Sequence, residues 1–185
     1  YRSHSFPTRR SSDLADRHEL KFCYEKLLKE KTPKYLRLAR GGEPNIHNEK
    51  IKSSKHYIEI NKSSKINILT SGTILIEVKN ALKKINKNNI GLISMPIIND
   101  KVKQEIRKVL IKSELIFTFE EHSPNGGLGS FIKEISSELS NPPRVISSGI
   151  NKETIYKVGT QEYLRKANKI DSKNIYKKIL NYLNK

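Results

Sequence analysis

The sequence predicts an α/β protein, a three-layer α/β/α sandwich around a mostly parallel sheet with one antiparallel edge strand. Three observations carry that expectation. From about residue 56 onward, short runs rich in Ile, Leu and Val alternate with segments whose apolar residues recur at helical spacing. The runs at 90–95 and 115–121 are apolar enough for strands covered on both faces. The connections between runs are short, so right-handed crossovers place helices on both sides of the sheet.

The first 14 residues stand apart from this pattern. They contain no Lys, Ile or Asn, whereas the remaining 171 hold 27 Lys, 24 Ile and 16 Asn. The segment resembles a translated sequencing-adaptor read-through, and it is expected to pack on nothing. A short basic tail is the rival reading. Asp16 followed by Glu19 has the form of a capping box with Asp in place of Ser or Thr. Leu20, Cys23, Tyr24, Leu27 and Leu28 then trace one helical stripe, with Cys23 as a small core residue rather than a nucleophile. Pro33 ends that helix, Tyr35–Ala39 reads as a short strand, and the polar stretch from Glu43 to Lys55 reads as an interdomain linker. The chain thus divides into a tail (1–14), a 15–48 scrap of a neighbouring domain with its linker, and a complete domain at 49–185.

Within that domain, His56–Ile60 and Lys65–Thr70 look like a hairpin-like strand pair around Asn61–Ser64. Ile74, Val78, Ala81, Leu82 and Ile85 mark a helix, and Ile90–Met95 a buried strand. Val102, Ile106, Val109 and Leu110 form a helical stripe behind a cap at Asn99 or Asp100. Leu115–Glu121 is the next strand, followed by a glycine-rich turn and a helix carrying Leu128, Ile132, Ile135 and Leu139. Arg144–Ser148 is the last strand. Two short helices close the chain, one after Thr160 and one capped by Asp171.

The composition excludes several function classes. No run approaches the roughly 18 apolar residues of a membrane span. One cysteine rules out a disulfide framework and a Cys-based zinc site. No secretory leader pattern is present, so a cytoplasmic setting is expected. The 36 Lys and Arg against 19 Asp and Glu give +17, which would suit nucleic acid. Yet the charge is Lys scattered along every element, with no aromatic platforms and no basic stripe, so no nucleic-acid partner is expected.

Three groups of residues could carry function. The turn Gly126-Gly127-Leu128-Gly129-Ser130 sits between a strand and a helix, where phosphates bind α/β folds, but it lacks both the dinucleotide fingerprint and the P-loop Lys. Glu120 and Glu121 just before it would repel a phosphate, so a tight packing turn at Gly126, Gly127 and Gly129 is the plainer reading. Glu120 and His122 alternate onto one strand face and Glu121 onto the other. Two candidate ligands are too few for a metal site, which leaves a structural or subunit-contact role for Glu120, Glu121 and His122. Arg37 and Arg40 are two of only six arginines after the tail. Arg40 emerges at a strand end, where a planar guanidinium suits bidentate capture of a phosphate; an ordinary surface Arg is the alternative.

Taken together, several segments resemble the transketolase family. Pro33-Lys34-Tyr35-Leu36-Arg37-Leu38-Ala39-Arg40-Gly41-Gly42-Glu43-Pro44 is similar to the end of its pyrimidine-binding domain. Ile68-Leu69-Thr70-Ser71-Gly72-Thr73, Ile93-Ser94-Met95-Pro96 and Phe117–His122 with Gly126–Ser130 resemble successive landmarks of its C-terminal domain. Gly159–Leu164 is similar to the matching stretch of the related deoxyxylulose-phosphate synthases. The resemblance implies a thiamine-diphosphate enzyme that moves a two-carbon ketol unit between sugar phosphates. It implies substrate-phosphate binding by Arg40, and more weakly by Arg37. The family's Gly-Asp-Gly metal–diphosphate motif does not occur in this sequence. Thiamine diphosphate and Mg are therefore expected in the intact enzyme and not on this fragment alone, which would be inactive by itself. The implied partner is a second copy in a homodimer, or an N-terminal transketolase subunit. A non-catalytic α/β binding or assembly module is the alternative.

Overall fold

The chain opens with a small β–α–β unit: β1 (Ser11–Asp13), α1 (Arg17–Leu27) and β2 (Tyr35–Arg37), with β1 and β2 paired in parallel. The computed structural model describes residues 11–29, 35–38, 44–63, 65–85, 89–154 and 156–184. Leu14 is buried with Phe22, Cys23, Ile58 and Ile97. The expectation that residues 1–14 pack on nothing is therefore corrected at 11–14, because the crossover through α1 needs a first strand to pair with β2. Residues 1–10, including Phe6, lie outside the described residues.

In α1 the Asp16 carboxylate accepts hydrogen bonds from the His18 and Glu19 amides at 2.9 and 3.0 Å, capping the helix. The buried face differs from the predicted stripe. Glu19, Phe22 and Cys23 turn inward, while Tyr24 and Leu28 are exposed. The buried hydrogen bonds of Glu19 rotate the helix away from the purely apolar stripe.

The main sheet contains β3 (Ile58–Asn61), β4 (Ile66–Ser71), β5 (Ile90–Ser94), β6 (Leu115–Glu120) and β7 (Arg144–Ser148), in the spatial order β3-β5-β4-β6-β7. The antiparallel edge strand is β3, and every other pair is parallel. The hairpin-like pairing of the first two strands is corrected: β3 pairs with β5, in a register broken between Glu59 and Asn61. Pairing β4 with both β5 and β6 leaves it no free edge for β3.

Alternation along the strands sends side chains to two separate cores. Ile68, Leu92, Phe117 and Phe119 pack beneath α2 (Leu75–Leu82) and, from the end of the chain, α6 (Ser172–Leu183). On the other face Leu69, Ile93 and Ile116 pack beneath α3 (Asp100–Leu110) and α4 (Leu128–Ser137). Asn99 is the α3 cap, accepting from the Val102 amide at 2.9 Å. A short α5 (Gln161–Ala167), capped by Thr160, precedes α6. The sheet is thus covered on both faces, as the sequence predicts.

The chain leaves β4 toward β5 on one side, then returns across the sheet to β6 and moves on to β7. The direction of winding therefore reverses between β4 and β6. In open α/β sheets, a crevice outside the carboxyl ends of the strands at such a reversal is where ligands bind.

Candidate functional site

The residues at that reversal are Ser71 at the end of β4, Thr73 just beyond it, and Glu120, Glu121 and His122 at the end of β6. A cleft of about 580 Å³ opens there, lined among others by Ser71, Asn99, Lys103, His122, Ser130 and Glu134.

Glu120 is fully buried and turns its carboxylate onto the start of α4. Its oxygens accept the Leu128 and Gly129 amides at 2.7 and 2.8 Å. The N-cap of α4 is Gly127, which has no side chain to cap with, so a carboxylate from the neighbouring strand satisfies the helix terminus and its dipole. This is the position a bound phosphate would take in a nucleotide-binding relative of the fold. The glycines make the approach possible: a Cβ on Gly127 would collide with the Glu120 carboxylate, and one on Gly129 would come within 2.6 Å of Ser147 Oγ. Gly126 is required for a different reason, its φ of +80°.

Glu121 points the other way. It accepts from the Thr73 hydroxyl, from Arg165 Nε at 2.8 Å and from Gln161 Nε2 at 3.3 Å. Arg165 also donates to Glu77 at 3.2 Å and to Thr73 Oγ1 at 3.1 Å. This nearly buried guanidinium ties α5 to the start of α2 and to the end of β6. Sequence reasoning passed over Arg165; its one available signal was being an arginine in a chain whose cations are mostly lysine. His122 meets the β–α–β unit: Arg37 Nη1 donates to its ring at 2.8 Å. Arg40 lies outside the described residues. Among the described residues no group of three or more His, Cys, Asp and Glu is placed to hold a metal ion, and no helix is long and apolar enough to cross a membrane.

A second polar cluster flanks the Arg37 segment at both of its chain ends. Besides capping α1, Asp16 accepts the Ile46 and His47 amides at 2.8 and 2.7 Å and the His47 ring Nδ1 at 3.0 Å. Glu19 accepts the Ala15 amide at 2.8 Å and the Ser94 hydroxyl at 2.6 Å. Among the described residues His47 Nε2 is buried with no hydrogen-bond partner, 3.8 Å from Glu19 Oε1. Burial pushes the Glu19 carboxyl up to about 7, opposed by the Ser94 and Ala15 hydrogen bonds. Burial would raise Asp16 too, but the hydrogen bonds from His47 and Glu19 outweigh it and hold that carboxyl well below the usual range. Part of the stretch read as a polar linker is therefore packed: Ile46 joins the α2–α6 core, and its carbonyl accepts from Lys79 at 2.7 Å.

Residues 56–175 match the family described as transketolase, C-terminal domain. The chain belongs to that family. Two curated relatives extend the likeness of this transketolase C-terminal domain. An apulose-4-phosphate transketolase subunit of Actinobacillus succinogenes is 26% identical over 146 residues, covering 77% of this chain and 47% of that protein. The 1-deoxy-D-xylulose-5-phosphate synthase of Buchnera aphidicola is 31% identical over 122 residues, covering 66% of this chain and 19% of the synthase. The chain spans less than half the length of either relative. Among solved structures, a split-gene transketolase described as an inactive beta4 tetramer superposes with a TM-score of 0.81 at 20% identity, over 94% of this chain and 57% of that one. The Campylobacter jejuni transketolase gives 0.70 at 16% identity, over 96% of this chain and 27% of its own. Both share the fold.

Proposed function

We propose that this chain is the C-terminal part of a thiamine-diphosphate-dependent transketolase-type enzyme, contributing subunit assembly and substrate-phosphate binding to the transfer of a two-carbon ketol unit. The family match over residues 56–175 carries this reading. The likeness to a protein that is itself one subunit of a transketolase supports the expectation of a separate upstream subunit as partner. The split-gene neighbour, an inactive beta4 tetramer, fits a chain that assembles without turning over substrate alone.

The donor set of the described residues does not fit the diphosphate of the cofactor or its metal. The helix terminus best placed to receive a phosphate, that of α4, is taken by Glu120. No cluster of three metal-ligating side chains accompanies it among the described residues. Holding the cofactor thus falls to the partner subunit, and this chain's share of the site is the arginine-bearing segment that follows β2. Arg37 already reaches the carboxyl edge of the sheet at His122, and the Asp16–His47 hydrogen bonds tie the start of α1 to residue 47.

The test is the reconstituted enzyme, made by combining this chain with a transketolase N-terminal subunit. Arg40→Ala is expected to raise KM for phosphorylated acceptors about tenfold or more while leaving unphosphorylated acceptors little changed, since a bidentate charge-assisted contact is lost only with the former. Equal effects on both acceptors would remove the phosphate role. A correctly assembled pair with no ketol transfer would favour the non-catalytic assembly module instead.

A further inference from the structure

The last strand of the sheet ends beside a cleft that the proposed function does not use. It has a volume of about 390 Å³ and lies between Ser147–Gly149 at the end of β7, Asn168 and Lys169 in the turn before α6, and one side of α6. That side carries Asn174, Lys177, Lys178 and Asn181, spaced i, i+3, i+4 and i+7, so the four share one helical face. The opposite face, through Ile175 and Ile179, is buried in the main core. The cleft therefore has a rigid floor. Its far wall is fixed as well, because Asn168 Oδ1 accepts the Asn151 amide at 2.9 Å and the Thr154 hydroxyl.

The charge in this cleft is unbalanced. Lys178 is half-buried and donates to Ser148 Oγ at 2.5 Å, which uses one of its three N–H groups. Among the described residues, no carboxylate lies within ion-pairing distance of Lys169, Lys177 or Lys178. The neighbouring acid, Asp171, is engaged by the Asn174 amide. Burial lowers the Lys178 ammonium below its usual range. Lys103, by contrast, is paired with both Glu134 and Glu138. A partly desolvated cation held against a strand end is costly unless an anion completes it.

We propose that the cleft between the end of β7 and α6 binds a phosphate group, held by Lys178, Lys177 and Lys169 with the Asn181 amide at its rim. Three lysines line this one cleft, and ammonium groups are point charges that suit a compact, multiply charged oxyanion. The group can arrive as inorganic phosphate or as a phosphate monoester.

The experiment titrates the full chain with inorganic phosphate or ribose 5-phosphate, following backbone amides by ¹H–¹⁵N NMR, with chloride at matched ionic strength as reference. Saturable shifts confined to residues 147–151, 168–169 and 174–181 are expected, and the probe that saturates at lower concentration identifies the source. Lys178→Met, which keeps the aliphatic stem, is expected to weaken binding about tenfold, and the exposed Lys177→Met several-fold. Lys112→Met, on a different surface, is the control and leaves it unchanged. Shifts that chloride reproduces, shifts that never saturate, or a Lys177→Met variant that binds like the parent chain would each overturn the proposal.

Discussion

Glu19 accepts the Ala15 amide and the Ser94 hydroxyl from a fully buried position. Burial first, and the nearby Asp16 charge with it, raises its carboxyl from 4.5 to about 7. A group whose folded pKa is raised stabilises the fold below its unfolded pKa and loses that contribution as pH rises through the folded value. Across pH 4.5 to 7 this amounts to ~3 kcal/mol. Asp16 acts in the opposite sense: its depressed carboxyl stabilises above pH 4 and fails as the solution becomes more acid. The other groups facing the pair are His47, Lys79 through the Ile46 carbonyl, and Cys23, whose thiol burial pushes up. Docking of α1 is accordingly strongest near pH 4 to 5. Glu19→Gln mimics the protonated carboxyl, with Oε1 to accept from Ala15 and Nε2 to donate to Ser94 Oγ, so it is expected to leave stability at pH 5 little changed and to flatten the slope between pH 5 and 8. Denaturant midpoints measured across that range check it; a slope identical to the parent's would assign the pH dependence elsewhere. The Asp16 cap with Glu19 three residues on was legible in sequence because its spacing is local, although Glu19 takes the Ala15 amide and not the Asp16 amide that a capping box would give it. The clamp it forms with His47 and Ser94 was not, since those partners are 31 and 75 residues distant.

At the scale of elements, the glycine-rich turn separates two kinds of glycine requirement. Gly126 has a φ of +80° with nothing near the position of an added Cβ. Gly126→Ala is therefore expected to cost about 1 kcal/mol, the left-handed penalty alone. At Gly127 an added Cβ would meet the Glu120 carboxylate and lie 2.7 Å from the Ser123 carbonyl oxygen. The carboxylate is pinned by two amides and the carbonyl is backbone, so neither gives way cheaply. Gly127→Ala is expected to cost about 2–3 kcal/mol, and thermal unfolding of the two variants side by side should order them so. Helices and parallel strands were readable because their apolar spacing reports directly on burial, as at Val102, Ile106 and Leu110. The pairing of β3 was misread because adjacency in sequence favours a hairpin. Only the demand of β4 for partners on both edges sends β3 across to β5. For Glu120 the sequence suggested a structural or subunit-contact role but not its partner: a carboxylate before a glycine turn reads as a deterrent to phosphate, and it is itself the group that occupies the helix terminus.

For the molecule as a whole, the formal charge of +17 is a liability distributed over the surface. The ion pairs that oppose it are largely exposed, such as Lys65–Glu114 and Lys166–Glu162, and pairs of that kind contribute little to stability. Like charges spread over the folded surface repel one another more than they do in the expanded unfolded chain, so the balance favours unfolding at low ionic strength. The Debye length shortens from ~30 Å at 0.01 M to ~8 Å at 0.15 M, which removes most of that repulsion. Raising sodium chloride over this range is therefore expected to raise Tm by several degrees, with ~1 kcal/mol corresponding to ~2–4 °C for a domain of this size. A fall in Tm would mean that attractive pairs outweigh the repulsion. Sodium phosphate at the same ionic strength provides the sharper comparison, because screening depends on ionic strength whereas site binding depends on the anion. A Tm increment beyond that of chloride, lost in Lys178→Met and kept in Lys112→Met, would locate the additional stabilisation at the β7–α6 cleft rather than in the overall charge.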